Sequence, residues 1–237
     1  GQGSGKTTTT GILKIILKKF FKREIQVSSI DDFYKTLKDR NLMSNKIHTL
    51  FKTRGVPGTH DIKKLLKTIE LFINKKYPIK IIKFDKLKDD RLNNVRIVKS
   101  QKDIIFVEGW CCGCSKISDN YLKKNLNYIE KKDKKYLWRK YYNNQIAYQY
   151  KELFKKFDYL IYYKIPNFKF VLNWRLKQEI QLKNKKNKKI NIMNRRNIKN
   201  FILHYEKITK WMMKKTHQKA SLLIKIDKNQ KIKKILN

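Results

Sequence analysis

Apolar and polar positions alternate along the chain between helical and strand periods. From Gly5 to about Arg23, Ile12, Leu13, Ile16, Leu17 and Phe20 recur at helical spacing, a stripe that predicts an amphipathic helix. Glu24–Ser29 reads as a strand ending at Ser29-Ile30-Asp31-Asp32. A loop over Arg54–Asp61, punctuated by Gly55, Pro57 and Gly58, leads into a helix over Ile62–Asn74. Ile79–Phe84 alternates like a strand, and Ile104–Val107 is a β-branched-rich run suited to a buried parallel strand. The second half continues the rhythm. It predicts a long Tyr-rich helix from Lys135 to Phe157, a strand over Tyr159–Ile165 closed by Pro166, and a helix from Phe168 to about Lys185. A Lys/Asn linker at Asn187–Asn191 follows, then a helix from about Arg195 to Lys215 and a strand over Ser221–Ile226. Strands alternating with helices imply an α/β protein, a parallel sheet flanked by helices. No internal repeat is visible.

Composition supports a globular chain: 41% of its 237 residues are hydrophobic and 12% aromatic. That length buries one sizeable core. The formal net charge of +40 is the outlier, and such a chain attracts polyanions. One reading is therefore a nucleic-acid-binding protein. Lys outnumbers Arg roughly fivefold, however, and the basic residues are spread along the whole chain. A phosphate-gripping surface favours the planar fork of Arg. Compositional drift toward Lys, Asn and Ile accounts for the charge without a specific nucleic-acid partner.

The apolar runs fall far short of the roughly 18 residues that span a bilayer, so no membrane partner is expected. Cys111, Cys112 and Cys114 crowd into one loop whose spacing suits neither a disulfide framework nor a zinc site. Reduced thiols in a cytoplasmic enzyme fit them better. The sequence opens without Met, inside a motif whose preceding strand and first glycine are expected just upstream.

That motif carries the first chemistry. Gly1-Gln2-Gly3-Ser4-Gly5-Lys6-Thr7-Thr8 meets the P-loop pattern from its second position onward. Gly3, Ser4, Gly5 and Thr8 place backbone N–H groups around a β-phosphate at a helix start. Lys6 reaches the β- and γ-phosphates of ATP, and Thr7 turns its hydroxyl to Mg²⁺. A flexible linker would show the same glycines but not the amphipathic helix that follows.

Asp31 and Asp32 lie at a strand's carboxyl end, where open α/β sheets bind ligands. A kinase with a hydroxyl acceptor needs a carboxylate there to orient the hydroxyl and take its proton. Asp31 is assigned that role and Asp32 a capping or supporting one, since Asp also caps helices. Glu108, directly after Ile104–Val107, suits a Mg²⁺-holding acid, directly or through water; a solvated carboxylate at a strand tip is the plainer reading. The loop containing Arg54, His60 and Asp61 fits a small anionic substrate clamped by Arg54. It equally fits an ordinary turn with Asp61 capping the next helix, and Asp85-Lys86 with Asp89-Asp90-Arg91 is open in the same way. Arg175 and Glu179 share a helix face. Arg175 suits charge neutralisation on a transferred phosphoryl group, or a surface ion pair. Trp138, Tyr141, Tyr142 and Trp211 read as core, and His48, His204 and His217 have no ligand-like spacing.

Gly3–Thr7, Ser29-Ile30-Asp31-Asp32-Phe33-Tyr34, Arg54-Gly55-Val56-Pro57-Gly58-Thr59-His60-Asp61, Phe84-Asp85-Lys86, Asp89-Asp90-Arg91, Glu108-Gly109-Trp110-Cys111 and Trp174–Glu179 appear in that order. The series resembles the D-glycerate 3-kinase-like proteins, relatives of phosphoribulokinase, uridine kinase and bacterial-type pantothenate kinase. The resemblance runs over nearly the whole chain. It implies one P-loop NTPase domain over 1–237 with a five-stranded parallel core and a helical lid or insert around 166–215. It also implies transfer of the ATP γ-phosphoryl group, with Mg²⁺, to a hydroxyl of a small metabolite such as D-glycerate. Asp31, Lys6 and Arg175 become the catalytic set, Thr7 and Glu108 the metal side, and Asp32, Tyr34, Arg54, His60 and Asp61 the acceptor side. A nucleoside or other sugar-acid kinase, and a decayed protein that binds ATP without catalysis, are the alternatives on the same fold. Cys114 and the Lys/Asn insertions near Asn184–Lys189 depart from the family pattern.

Overall fold

The computed structural model describes residues 2–186 and 193–237, so the Asn187–Asn191 linker lies outside the described residues. The chain divides into two compact units. One comprises Lys6–Cys112 with Leu137–Lys156, the other Gly1–Gly5, Gly113–Tyr136 and Phe157–Asn237. Each contains a parallel strand pair with helices, so the α/β expectation holds. Among the described residues the parallel pairs belong to two separate sheets, where one five-stranded sheet was implied.

In the Lys6–Cys112 unit, Ile25–Ser29 pairs in parallel with Ile104–Glu108, in a register that sets Ser29 opposite Glu108. Both strands thus end at the same edge. A 3₁₀ turn, Ile30–Phe33, follows the first strand, and the Ser29 side chain caps it by accepting from the Asp31 N–H at 3.3 Å. Gly109 follows the second. A Cβ at Gly109 would lie 2.1 Å from Cγ2 of Ile30, so only glycine lets the two strand ends close together here. The helix Ile62–Ile73 shows the local logic plainly. Ile62, Leu65, Ile69 and Phe72 bury one face, at about 1.5–3 kcal/mol per large apolar side chain, and Asp61 caps its start.

Several elements differ from the pattern reading. Ile104–Glu108 is half-buried throughout instead of buried, because it pairs only with Ile25–Ser29 among the described residues. Ile79–Phe84 is not one strand: Ile79–Ile81 pairs antiparallel with Arg96–Val98, and Phe84–Asp85 with Asp90–Arg91. The helix Lys6–Phe21 forms as expected, but none of its residues is buried, and Ile12, Ile16 and Phe20 of its stripe are exposed. The two-stranded sheet beside it is too narrow to cover that face. The long Tyr-rich helix is interrupted: α-helical Leu137–Gln145 passes into a π-helical turn, Ile146–Tyr150, before Lys151–Phe154.

In the Phe157–Asn237 unit, Ile161–Lys164 pairs in parallel with Leu222–Ile226, which pairs antiparallel with Ile232–Leu236, a strand the pattern did not show. Tyr163, Ile165, Trp174, Ile198, Ile202, Ile224 and Ile226 form its core between that sheet and the helices Phe170–Lys186 and Arg195–Leu203. The helix expected over 195–215 breaks at His204–Tyr205 into Arg195–Leu203 and Glu206–Lys215. The break lets Tyr205, His204 and Glu206 all turn inward.

Candidate active site

The shared edge of Ile25–Ser29 and Ile104–Glu108 gathers the charged groups of the Lys6–Cys112 unit. Lys6, half-buried at the start of its helix, feels the carboxylates of both Glu108 and Asp31. Burial pulls its ammonium below the ordinary lysine range, and the two carboxylates oppose that without cancelling it. The Thr7 hydroxyl donates to Glu108 Oε1 at 3.3 Å. The Lys6-Thr7 pair, Asp31 and Glu108, which lie far apart in sequence, therefore occupy one place, at the carboxyl ends of parallel strands.

Asp31 is the most elaborately held of them. Tyr34 donates its hydroxyl to Oδ1 at 3.1 Å and Lys86 its ammonium to Oδ2 at 2.8 Å. Burial pushes this carboxyl up, but Lys86, the nearby His60 and the two hydrogen bonds outweigh it and hold Asp31 below the usual carboxylate range. Asp32 is set apart from this work by its own partner, Lys83, at 2.6 Å.

Lys86 was read only as part of the Asp85-Lys86 cluster, with no role of its own, and the reason lies in its support. Arg40, fully buried, donates to the Asp89 carbonyl and carboxylate and to the carbonyls of Lys35 and Lys52. Arg54 pairs with the same Asp89 carboxylate and donates to the Lys86 carbonyl at 3.3 Å. Both guanidinium groups lie over the Phe84 ring, at 5.9 and 5.6 Å. Together they fix the loop that delivers Lys86 to Asp31. In this structure Arg54 is committed to Asp89, so it shapes the site through Lys86. Asp61 caps the Ile62 helix through the Lys64 N–H at 3.1 Å and pairs with Arg91 at 3.0 Å, which also holds the Tyr34 carbonyl at 2.7 Å. The turn reading of the 54–61 loop is what the geometry displays. Trp110 ties that loop to the strand end by donating to the Gly55 carbonyl at 3.0 Å.

His60 is 1% exposed and stacks on Tyr34 with ring centroids 4.3 Å apart. Its Nδ1 lies 2.5 Å from the Tyr150 hydroxyl, while Nε2 is buried with no hydrogen-bond partner among the described residues. Burial drives its pKa down to about 4, so the ring is neutral at physiological pH. It also borders an open cleft of about 470 Å³ with Lys35, Asp61 and Gln149. The three cysteines are free thiols, and Cys112 lies close enough to Glu108 and Lys6 to feel both charges. Burial and the carboxylate push that thiol up to about 12, so it stays a neutral neighbour.

The donor set fits a magnesium ion. Thr7 and Glu108 offer hard oxygens, and among the described residues no group of three or more His, Cys, Asp or Glu side chains forms a metal cage. Magnesium characteristically takes one or two protein oxygens and completes its shell with phosphate and water.

The remaining candidates belong to the other unit. Gly3 sits at φ +69°, and a Cβ there would lie 2.9 Å from Cβ of Trp174. Trp174 is itself fixed by its indole N–H on the Lys228 carbonyl at 2.8 Å, and the Gln230 amide donates to the Gly3 carbonyl. A side chain at this φ costs about 1–2 kcal/mol before any clash. Gly3→Ala is therefore expected to destabilise the fold by about 1–2 kcal/mol or more. Denaturant unfolding checks it, and an unchanged midpoint would mean that the turn relaxes around the new side chain. Arg175 pairs with Glu179 at 2.5 Å, donates to Gln178 at 3.1 Å and lies over the Phe201 ring, the ion pair its spacing allowed.

No family model matches the chain. It is 34% identical over 129 residues to "Probable ATP-dependent kinase TDA10" of Saccharomyces cerevisiae, covering 49% of this chain and 44% of that protein. It is 27% identical over 193 residues to "D-glycerate 3-kinase, chloroplastic" of Arabidopsis thaliana, covering 77% and 40%. The chain thus spans less than half the length of these two relatives. The solved D-glycerate 3-kinase of Cryptococcus neoformans matches with a TM-score of 0.79 at 22% identity, covering 97% of this chain and 85% of that one, and so shares its fold. Among the described residues no helix is long and apolar enough to cross a membrane.

Proposed function

We propose that the chain is a glycerate kinase-like P-loop kinase that transfers the γ-phosphoryl group of ATP to a hydroxyl of a small acceptor, D-glycerate first among them; its likeness to a named ATP-dependent kinase and to a D-glycerate 3-kinase supports this reading. The observation that carries this reading is that Asp31 and Glu108 both bear on Lys6 at one edge of a parallel strand pair. The name of one relative, a D-glycerate 3-kinase, favours D-glycerate over a nucleoside.

Each residue then has a task. The glycine-rich turn and Lys6 take the polyphosphate, with Lys6 compensating charge on the β- and γ-phosphates. Thr7 and Glu108 would hold a magnesium ion, which would supply neutralisation of the phosphate charge. Asp31 accepts a hydrogen bond from the acceptor hydroxyl and takes its proton as the new P–O bond forms and ADP leaves. Its depressed basicity suits a loose transition state, in which the hydroxyl gives up its proton late. Tyr34 and Lys86 keep the carboxylate aimed. His60, with Arg54 and Asp61 behind it, borders the acceptor. Arg175, held by Glu179, is given no task in this reading.

Purified protein with ATP, Mg²⁺ and D-glycerate should release ADP in a coupled assay, with phosphoglycerate formed in equal amount. Turnover with a nucleoside or another sugar acid instead of D-glycerate would move the acceptor assignment while keeping the reaction.

The Lys86–Asp31 pair makes a pH prediction. Asp31 is active when ionised and its folded pKa is depressed, so activity is lost as pH falls through a value below the ordinary carboxylate range. Lys86→Met removes the strongest opposing influence and leaves burial to push the carboxyl up. The acid limb of the kcat/KM profile is expected to move to higher pH. An unmoved limb would mean that another group sets it.

A further inference from the structure

We infer that Tyr150 fixes His60 as its Nε2–H tautomer, making His60 a hydrogen-bond donor to an oxygen of the phosphoryl acceptor. The inference rests on the phosphotransfer reading above and adds which atom recognises the acceptor and what sets it.

The Tyr150 hydroxyl accepts the Gly58 N–H at 3.3 Å and lies 2.5 Å from His60 Nδ1. Tyr150 is fully buried, and its phenol is held well above its ordinary pKa by burial, so it keeps its proton. That single proton finds its acceptor at Nδ1. A neutral imidazole that accepts at Nδ1 carries its own proton on Nε2. Nε2 is the atom left buried and without a partner among the described residues, and an unmatched buried donor is costly enough to call for an acceptor atom. The surroundings say where that acceptor belongs. His60 stacks on Tyr34, whose hydroxyl holds Asp31, and the Asp31 carboxylate is near enough for its charge to act on the His60 ring. A molecule presenting a hydroxyl to Asp31 brings its neighbouring oxygens to this ring.

The π-helical turn explains how Tyr150 gets there. One extra residue per turn over Ile146–Tyr150 re-aims the side chains that follow, and such turns recur at functional sites. Tyr150 is thus a positioning residue that acts through His60.

The test separates tautomer from packing. The full chain labelled with ¹⁵N-histidine has four imidazoles, and loss of one pattern in His60→Asn assigns the signal. His60 should show Nε2 protonated and Nδ1 bare, and Tyr150→Phe should shift that balance toward a mixture. In steady-state kinetics with D-glycerate, His60→Gln keeps a donor near the Nε2 position, whereas His60→Asn keeps only the Nδ1 side. His60→Asn should raise the KM for D-glycerate about tenfold to a hundredfold, His60→Gln by no more than about threefold, with the KM for ATP unchanged in both. A proton found on Nδ1, or equal losses in the two variants, would overturn the inference. Absence of turnover with D-glycerate and every other acceptor in the wild type removes the phosphotransfer reading and this donor role with it. Turnover whose acceptor KM ignores His60 removes only this one.

Discussion

Asp31→Asn is expected to lower kcat by about two to four orders of magnitude, the usual contribution of a positioned acid or base, while leaving ATP binding nearly intact. The substitution keeps the volume and the hydrogen bond from Tyr34 but removes both the proton acceptor and the charge that holds Lys86 at 2.8 Å. Asp32→Asn is the natural control. Asp32 lies on the same turn and its variant loses a salt bridge to Lys83, whereas the carboxylates that act on Lys6 are those of Glu108 and Asp31. Single-turnover measurement of phosphoryl transfer, alongside an ATP titration of each variant, distinguishes the two carboxylates. Equal rates for Asp31→Asn and the wild type would take Asp31 out of the mechanism. A large loss in Asp32→Asn alone would exchange their roles.

The reason this part of the site was legible lies in local rules. A carboxylate directly after an apolar strand run falls at the sheet edge, and the parallel register of Ser29 with Glu108 brings two such edges together. Gly109 marks the close approach, because a side chain there would strike Ile30. What stayed hidden depends on distant partners. Arg54 looked like an anion clamp, but its carboxylate is Asp89, a residue reached only once the 84–91 hairpin has folded against Arg40. Lys86 is delivered to Asp31 by that clamp, so its role has no signature in its own neighbourhood. Tyr150 was lost in a helix read as regular, since a π turn changes the face of every later side chain without altering the apolar count. The break at His204–Tyr205 was missed for a similar reason. Tyr205, Ile208 and Met212 continue a helical apolar spacing across it, and Glu206, which turns inward there, accepts from Asn127, far away in sequence.

Those inward-turning groups carry the largest stability effect expected in the molecule. Lys207 and Glu130 are each 1% exposed at the side chain and form an ion pair at 3.2 Å in the Phe157–Asn237 unit. The ammonium also donates to the carbonyls of Tyr121 and Lys124, at 3.0 and 2.6 Å, and lies over the Tyr121 ring. Glu130 accepts the Leu126 N–H at 2.8 Å. Lys207→Met fills the same volume but leaves a buried carboxylate and two carbonyls without their cation. Removing one partner of such a pair costs about 3–5 kcal/mol, far more than the intact pair contributes relative to apolar residues. Lys207→Met should therefore lower the denaturant midpoint sharply, and adding Glu130→Gln should return a good part of the loss by removing the stranded charge. The sign of that second step is the informative one. If the double variant is less stable than Lys207→Met, the ion pair is not what makes Lys207 important. Its hydrogen bonds to the Tyr121 and Lys124 carbonyls, which join residues 121–124 to the Glu206–Lys215 helix, would then account for the whole effect.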